Sequence, residues 1–177
     1  LTIICAVLLY FGGMNAFDAI CHSFTTLASG GYSTKNASIA YWSSPLIHYI
    51  IIIFMIIAGT NFSLLYGAMI RKQGKRLIQD EEFRSYIYSI LGVSLVVAVG
   101  LIFSRNFEGI KSVEVAFRDA LFQIVATMTT TGFSTSDYMS WHPILWLIIL
   151  LIIPMGATAG STSGGIKIIR LHIITKN

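Results

Sequence analysis

The chain has 177 residues, of which 55% are hydrophobic and only 11% charged, with a mean hydropathy of +0.74. That composition is too apolar for an ordinary soluble domain and fits an integral membrane protein. The net charge of +4 does not point to nucleic acid, because five basic residues (Arg71, Lys72, Lys75, Arg76 and Arg84) fall in one loop between two apolar stretches.

Leu1 to Phe11 is expected to be the end of a membrane helix. It has neither the basic start nor the small-residue cleavage site of a signal peptide, and the chain does not open on Met, so a fragment is expected. After Gly12-Gly13 a short helix is predicted from about Asn15 to Leu27, running into the tract Ala28-Ser29-Gly30-Gly31-Tyr32. Ser43-Ser44-Pro45 marks a turn and the start of a long helix from about Pro45 to Arg71. The basic loop follows. A spanning helix from about Glu82 to Ser104, a polar turn from Asn106 to Lys111 and a short helix from Ser112 to Met128 lead into a second tract, Thr129-Thr130-Thr131-Gly132-Phe133. Trp141-His142-Pro143 then opens a last apolar run. Residues 36–70, 86–104 and 138–166 contain no Asp, Glu, Lys or Arg, so each can hold the roughly 20 apolar residues that a spanning helix needs. The positive-inside rule puts the loop 71–84 in the cytoplasm, together with a C-terminus bearing Lys167, Arg170 and Lys176. Both tracts then lie toward the outer side, and Asp80, Glu81 and Glu82 weigh little in that rule.

The two tracts belong to a duplication. Asp18 to Thr34, DAICHSFTTLASGGYST, returns as Asp119 to Thr135, DALFQIVATMTTTGFST. Asp18, Ala19, Thr26, Gly31, Ser33 and Thr34 match Asp119, Ala120, Thr127, Gly132, Ser134 and Thr135. A short helix, a Ser/Thr/Gly tract with an aromatic after its last glycine, and a long uncharged run form the layout of a pore loop between membrane helices. Asp18 and Asp119 are expected in first helical turns, where the helix dipole favours a carboxylate. Glu114 and Arg118 can pair four residues apart, as solvated charge near the outer surface.

Irregular backbone at membrane depth is stable only where it is buried in protein or lines a watery cavity, since lipid satisfies no peptide group. Two such tracts imply a cavity. Glycine lets successive carbonyls turn inward, small hydroxyls add oxygens, and a ring of oxygens replacing a hydration shell is how a cation filter works. Tyr32 and Phe133 fit this plan and also fit interface anchors. In the last apolar run, Pro154, Gly156, Gly160, Gly164 and Gly165 make a continuous helix unfavourable, so a break is expected. Gly160-Ser161-Thr162-Ser163-Gly164-Gly165-Ile166-Lys167 superficially resembles a phosphate-binding loop. However, Ile166 separates glycine from lysine, no hydroxyl follows the lysine and no strand precedes it. A flexible intramembrane segment with Lys167 near the cytoplasmic mouth fits better.

SGGYST at Ser29 to Thr34, GTNFSLLY at Gly59 to Tyr66, TTTGFST at Thr129 to Thr135 and GATAGSTSGGIKIIR at Gly156 to Arg170 resemble the Trk/Ktr/HKT superfamily of potassium transporters. The resemblance covers essentially the whole chain and implies an all-α polytopic membrane protein built from helix, pore-loop, helix units around one pathway. It implies that 1–75 is the second pore unit and 76–177 the third, the remaining units being supplied by a longer chain. Gly31 and Gly132 become filter glycines, with Ser29, Gly30, Thr130 and Thr131 contributing neighbouring oxygens within Ser29–Tyr32 and Thr129–Phe133. Gly156 to Gly165, with Lys167, becomes a gating loop. One glycine per tract, with Gly30 an extra, implies weaker discrimination of potassium from sodium than in true potassium channels. The resemblance further implies a homodimer and a cytoplasmic nucleotide-binding regulatory subunit, with potassium as the substrate ion and no tightly bound cofactor.

Two rival readings remain: a membrane enzyme using Ser161, Ser163 or Lys167 as nucleophile or base, and a non-conducting scaffold. Cys5 and Cys21 read as free, buried thiols. The sequons at Asn36 and Asn61 read as chance matches, and the four histidines, His22, His48, His142 and His172, carry no visible pattern.

Overall fold

The computed structural model describes residues 1–71, 74–104 and 110–176. Lys72 and the greater part of the expected turn at Asn106 to Lys111 lie outside the described residues, as do the side chains of Lys111, His172 and Lys176. The described chain is helical. Helix α1 (Thr2–Phe11) ends at Gly12, α2 (Ala16–Leu27) begins on Asn15, α3 (Pro45–Ala58) opens on its proline, and α4 (Phe62–Met69) and the short α5 (Gly74–Gln79) follow. Helices α6 (Glu81–Ser104), α7 (Ile110–Met128), α8 (Pro143–Ile152) and α9 (Ile168–Lys176) complete the order. Proline at the first helical position, as in α3 and α8, is pre-set for the turn and has no N–H to waste there.

The expected long helix from Pro45 to Arg71 is not continuous. It bends by 108° between α3 and α4, and the unwound Gly59-Thr60-Asn61 releases backbone groups that neighbours distant in sequence then use. The Gly59 carbonyl accepts from Thr158 N at 3.1 Å, the Ala58 carbonyl from Thr162 N at 3.3 Å, and Phe62 N donates to Gly160 O at 3.1 Å. Asn61 restarts the helix, its side chain accepting from Ser63 N at 2.8 Å. A Cβ on Gly59 would stand 2.3 Å from the Tyr86 hydroxyl, so the break sits against the Tyr86 side chain of α6.

The expected break in the last apolar run is present between Ile152 and Ile168. There Gly156 N donates to Ile166 O and Ile166 N to Pro154 O, each at 2.8 Å. The 24 residues of α6 are long and apolar enough to cross a membrane, and α1 and α8 are shorter apolar helices.

Helix α7 forms the centre. Ala120, Phe122, Ile124, Val125 and Ala126 are all fully buried, against α6 and α3, so the helix is enclosed on every face over 120–126. Conversely Ile3, Phe11, Phe103 and Leu151 are exposed. Apolar surface of that extent is what lipid or further protein covers in a polytopic membrane protein. Arg118 departs from expectation: it pairs with Glu114 at 3.1 Å as the spacing predicts, yet it is buried rather than solvated. Tyr49 donates to the same Glu114 oxygen at 3.0 Å. Asp18 lies in the first turn of α2 as expected, whereas Asp119 lies in the middle of its helix, α7, and not in a first turn. Cys5 is buried, Cys21 half-buried, and both are free.

Candidate functional site

Each short helix ends in the same way. Gly30 N donates to Thr25 O at 2.8 Å and Ser29 N to Thr26 O at 3.3 Å; in the second copy Thr131 N donates to Ala126 O at 2.9 Å and Thr130 N to Thr127 O at 3.0 Å. These paired closures form a Schellman motif, which needs a left-handed residue just past the helix and usually takes glycine there. Here that residue is Ser29 (φ 52°) and Thr130 (φ 55°), followed two positions on by Gly31 (φ 66°) and Gly132 (φ 79°). The left-handed conformation costs a non-glycine residue about 1–2 kcal/mol. A hydroxyl residue held there in both copies therefore has a compensating role, and the contacts show which. Thr130 Oγ1 accepts from Gly164 N at 2.7 Å, and Ser29 Oγ lies 2.8 Å from Thr162 Oγ1. The strained residue of each tract fastens the broken segment between α8 and α9.

The remaining tract side chains divide sharply. Thr129 and Thr131 are buried; Thr129 donates to Val125 O at 2.8 Å, so the Thr131 hydroxyl is the donor in their 2.8 Å contact. Their hydroxyls face protein. Gly30 and Gly132 are exposed. The two aromatics part company: Tyr32 is 80% exposed and Phe133 0%, the latter packed with its ring centroid 5.9 Å from that of His22.

Sequence reasoning missed what pins each tract at its far end. Thr34 donates to Asp18 Oδ1 at 2.5 Å, and Thr135 to Asp119 Oδ1 at 3.3 Å. The matched Asp and Thr, 16 residues apart in both copies, were the available signal. Capping is not Asp18's role, because Asn15 accepts from the Asp18 N–H itself. Asn15 Nδ2 and Lys35 also hold the Asp18 carboxylate, at 2.9 and 3.5 Å. At this helix start, outside the spanning helices, the Thr34 hydrogen bond and then the Lys35 charge keep the carboxyl below its ordinary range. A depressed acid stabilises the fold fully above its unfolded pKa, about 4, and loses that contribution as pH falls through the folded value. Asp18→Ala is expected to lower stability by about 1–3 kcal/mol at neutral pH. The deficit should shrink on acidification, as thermal melting of the detergent-solubilised protein at several pH values would register.

His22 was missed as well. Its Nδ1 lies 2.7 Å from the Asp18 carbonyl and so carries the proton, leaving Nε2 to accept from Ser33 Oγ at 2.9 Å. It is a fully buried brace between tract and helix.

The broken segment is bonded as tightly as the tracts. Thr158 N and Oγ1 both donate to Gly59 O, at 3.1 and 2.9 Å, and Thr162 N and Oγ1 to Ala58 O, at 3.3 and 3.2 Å. Ser163 Oγ accepts from Ala157 N at 3.1 Å and from Lys167 Nζ at 3.0 Å. Ser161 spends its proton on Thr158 O at 2.6 Å, so Ser163 donates in their 2.8 Å contact. Lys167 also donates to the Ser163 carbonyl. Every hydroxyl in this Ser-Lys group is hydrogen-bonded within the fold. Among the described residues no three His, Cys, Asp or Glu side chains converge to hold a metal ion.

Two helices ending in matched left-handed tracts, with an irregular segment bonded to both, repeat one plan in an all-helical, polytopic membrane protein. A family model described as TrkH, cation transport protein, matches residues 1–177, and the chain belongs to that family. It is 40% identical over 176 residues to the Trk system potassium uptake protein TrkH of Escherichia coli K12. It is 35% identical over 176 residues to TrkG of the same strain, and both alignments cover 99% of this chain. The crystal structure of the potassium transporter TrkH from Vibrio parahaemolyticus matches with a TM-score of 0.92 at 38% identity, over 99% of this chain and 37% of that one. The chain thus spans about 36% of the length of the curated relatives it matches.

Proposed function

We propose that this chain supplies two units, 1–75 and 76–177, of a pathway that carries potassium across a cell membrane. Carbonyl oxygens of Ser29–Tyr32 and Thr129–Phe133 replace the ion's hydration shell, the hydroxyls of Ser29, Thr129, Thr130 and Thr131 being bonded within the protein, and Gly156, Gly160 to Gly165 and Lys167 form a gate across the pathway. The observation that carries this reading is the repeated pair of left-handed residues, Ser29/Gly31 and Thr130/Gly132, whose first members are bonded to the proposed gate. Names of relatives that are potassium uptake proteins support the choice of ion. Charge placement supports a sidedness with the tracts outward and residues 71–84 and the C-terminus cytoplasmic. The remaining pore units, a homodimer and a cytoplasmic nucleotide-binding regulatory subunit belong to the same reading and rest on family resemblance.

Rubidium uptake into proteoliposomes by the full-length protein, with sodium competing, tests it. Gly132→Ser is expected to cut uptake several-fold or relax selectivity, since a side chain at φ 79° strains the carbonyls beside it. Unchanged selective uptake would remove Gly132 from the filter, and no flux from folded wild type would favour a scaffold.

A further inference from the structure

Glu82 lies outside both tracts and outside the broken segment, yet its carboxylate reaches that segment: Oε1 accepts from Ala159 N at 2.7 Å. Helix capping does not account for this direction. Asp80 already caps α6, accepting from Phe83 N at 2.8 Å, while Glu81, beside Glu82 in the same first turn, points to solvent. The other fastenings of the segment to neighbouring elements, among the described residues, end on neutral groups: the carbonyls of Ala58 and Gly59, the hydroxyls of Ser29 and Thr130, and the N–H of Phe62. Glu82 supplies the full negative charge, which also acts on the Lys167 ammonium. A carboxylate acceptor makes a hydrogen bond about twice as strong as a neutral one, and the N-terminus of α6 favours the charged form.

The placement of Glu82 also matters. It belongs to the first turn of α6, which follows the basic helix α5 directly, so its side chain joins that end of α6 to the broken loop.

We propose that Glu82 is the positioning residue that holds the 156–165 loop against the two tracts, and that it links displacement of the basic segment to release of the loop. The second half rests on the reading of that loop as a gate. The test uses the full-length protein in proteoliposomes, made cysteine-free and then given Ala157→Cys as a reporter, because Ala157 is fully buried in the held loop. Labelling by a water-soluble thiol reagent and rubidium flux are measured together. Glu82→Ala is expected to speed labelling roughly tenfold or more, the worth of a lost charge-assisted bond, and to raise flux. Glu82→Gln, which keeps an acceptor oxygen without the charge, falls between, and Glu81→Ala behaves as wild type. If Glu82→Ala does not fold, the graded response of Glu82→Gln carries the test. Wild-type labelling in both Glu82 variants, or equal acceleration by Glu81→Ala, overturns the proposal. Faster labelling with unchanged flux supports Glu82 as the holder and overturns the reading of the loop as gate.

Discussion

Gly31→Ala is expected to disrupt the first tract and abolish selective flux, whereas Gly132→Ala is expected to leave a folded protein. Both glycines have positive φ, 66° and 79°, so each alanine carries the backbone strain of about 1–2 kcal/mol. Space separates them. A Cβ on Gly31 would stand 1.8 Å from the Thr131 carbonyl oxygen and 2.9 Å from its carbon, whereas one on Gly132 meets nothing within 4 Å. The obstacle is backbone and cannot swing aside like a side-chain tip. Thr131 is itself fixed by its N–H on Ala126 O and its hydroxyl on Thr129, so opening that contact pulls on the end of α7. Overpacking on this scale costs about 1–3 kcal/mol or more beyond the strain, and it falls on the contact between the two units. Melting temperature in detergent and rubidium uptake, measured on both variants of the full-length protein, check the order. Equal stability of the two would mean that the tracts do not meet where Gly31 touches Thr131.

That contact could not be read from sequence, and the reason is general to this chain. Duplication exposed what is repeated within a unit, the short helices and the glycines that turn left-handed, and Pro154 with the clustered glycines that follow exposed the break in the last run. The repeat was silent on what joins one unit to another. The α3–α4 bend is an example. Residues 45–70 are uncharged, with one glycine near the middle of the run, and read as a single helix because the groups that stabilise the break, Thr158 and Thr162, lie about a hundred residues away. Ala40 N on Ser134 O and His22 against Phe133 are further inter-unit contacts of the same kind. Glu82 was discounted for a related reason. In a charge rule an acid beside basic residues carries little weight, whereas in the fold its direction decides its role. The tyrosine and phenylalanine that look equivalent in the repeat end in opposite environments because Phe133 has the first unit's His22 to pack on, while Tyr32 is left exposed.

Within the broken loop, neighbouring glycines should respond very differently to the same added methyl group. At Gly156 a Cβ would stand 2.0 Å from the Gly164 carbonyl oxygen and 3.2 Å from the Gly165 carbonyl carbon. The loop closes on itself there, with Gly156 N on Ile166 O and Ile166 N on Pro154 O. Gly156→Ala therefore forces apart the two strands of the loop, and the displaced residues 163–166 include Gly164, whose N–H is held by Thr130. Gly164→Ala places its methyl 3.6–4.0 Å from Thr130 atoms, ordinary contact, at a backbone without positive φ. The expected result is a marked loss of thermal stability and a raised, unregulated rubidium flux for Gly156→Ala, and near wild-type behaviour for Gly164→Ala. Melting and flux measured on the same preparations separate the two consequences. A destabilised Gly156→Ala protein whose flux stays low would mean that the loop's packing supports the fold without closing the pathway. Equal damage from both substitutions would mean that the loop follows a different path past Thr130.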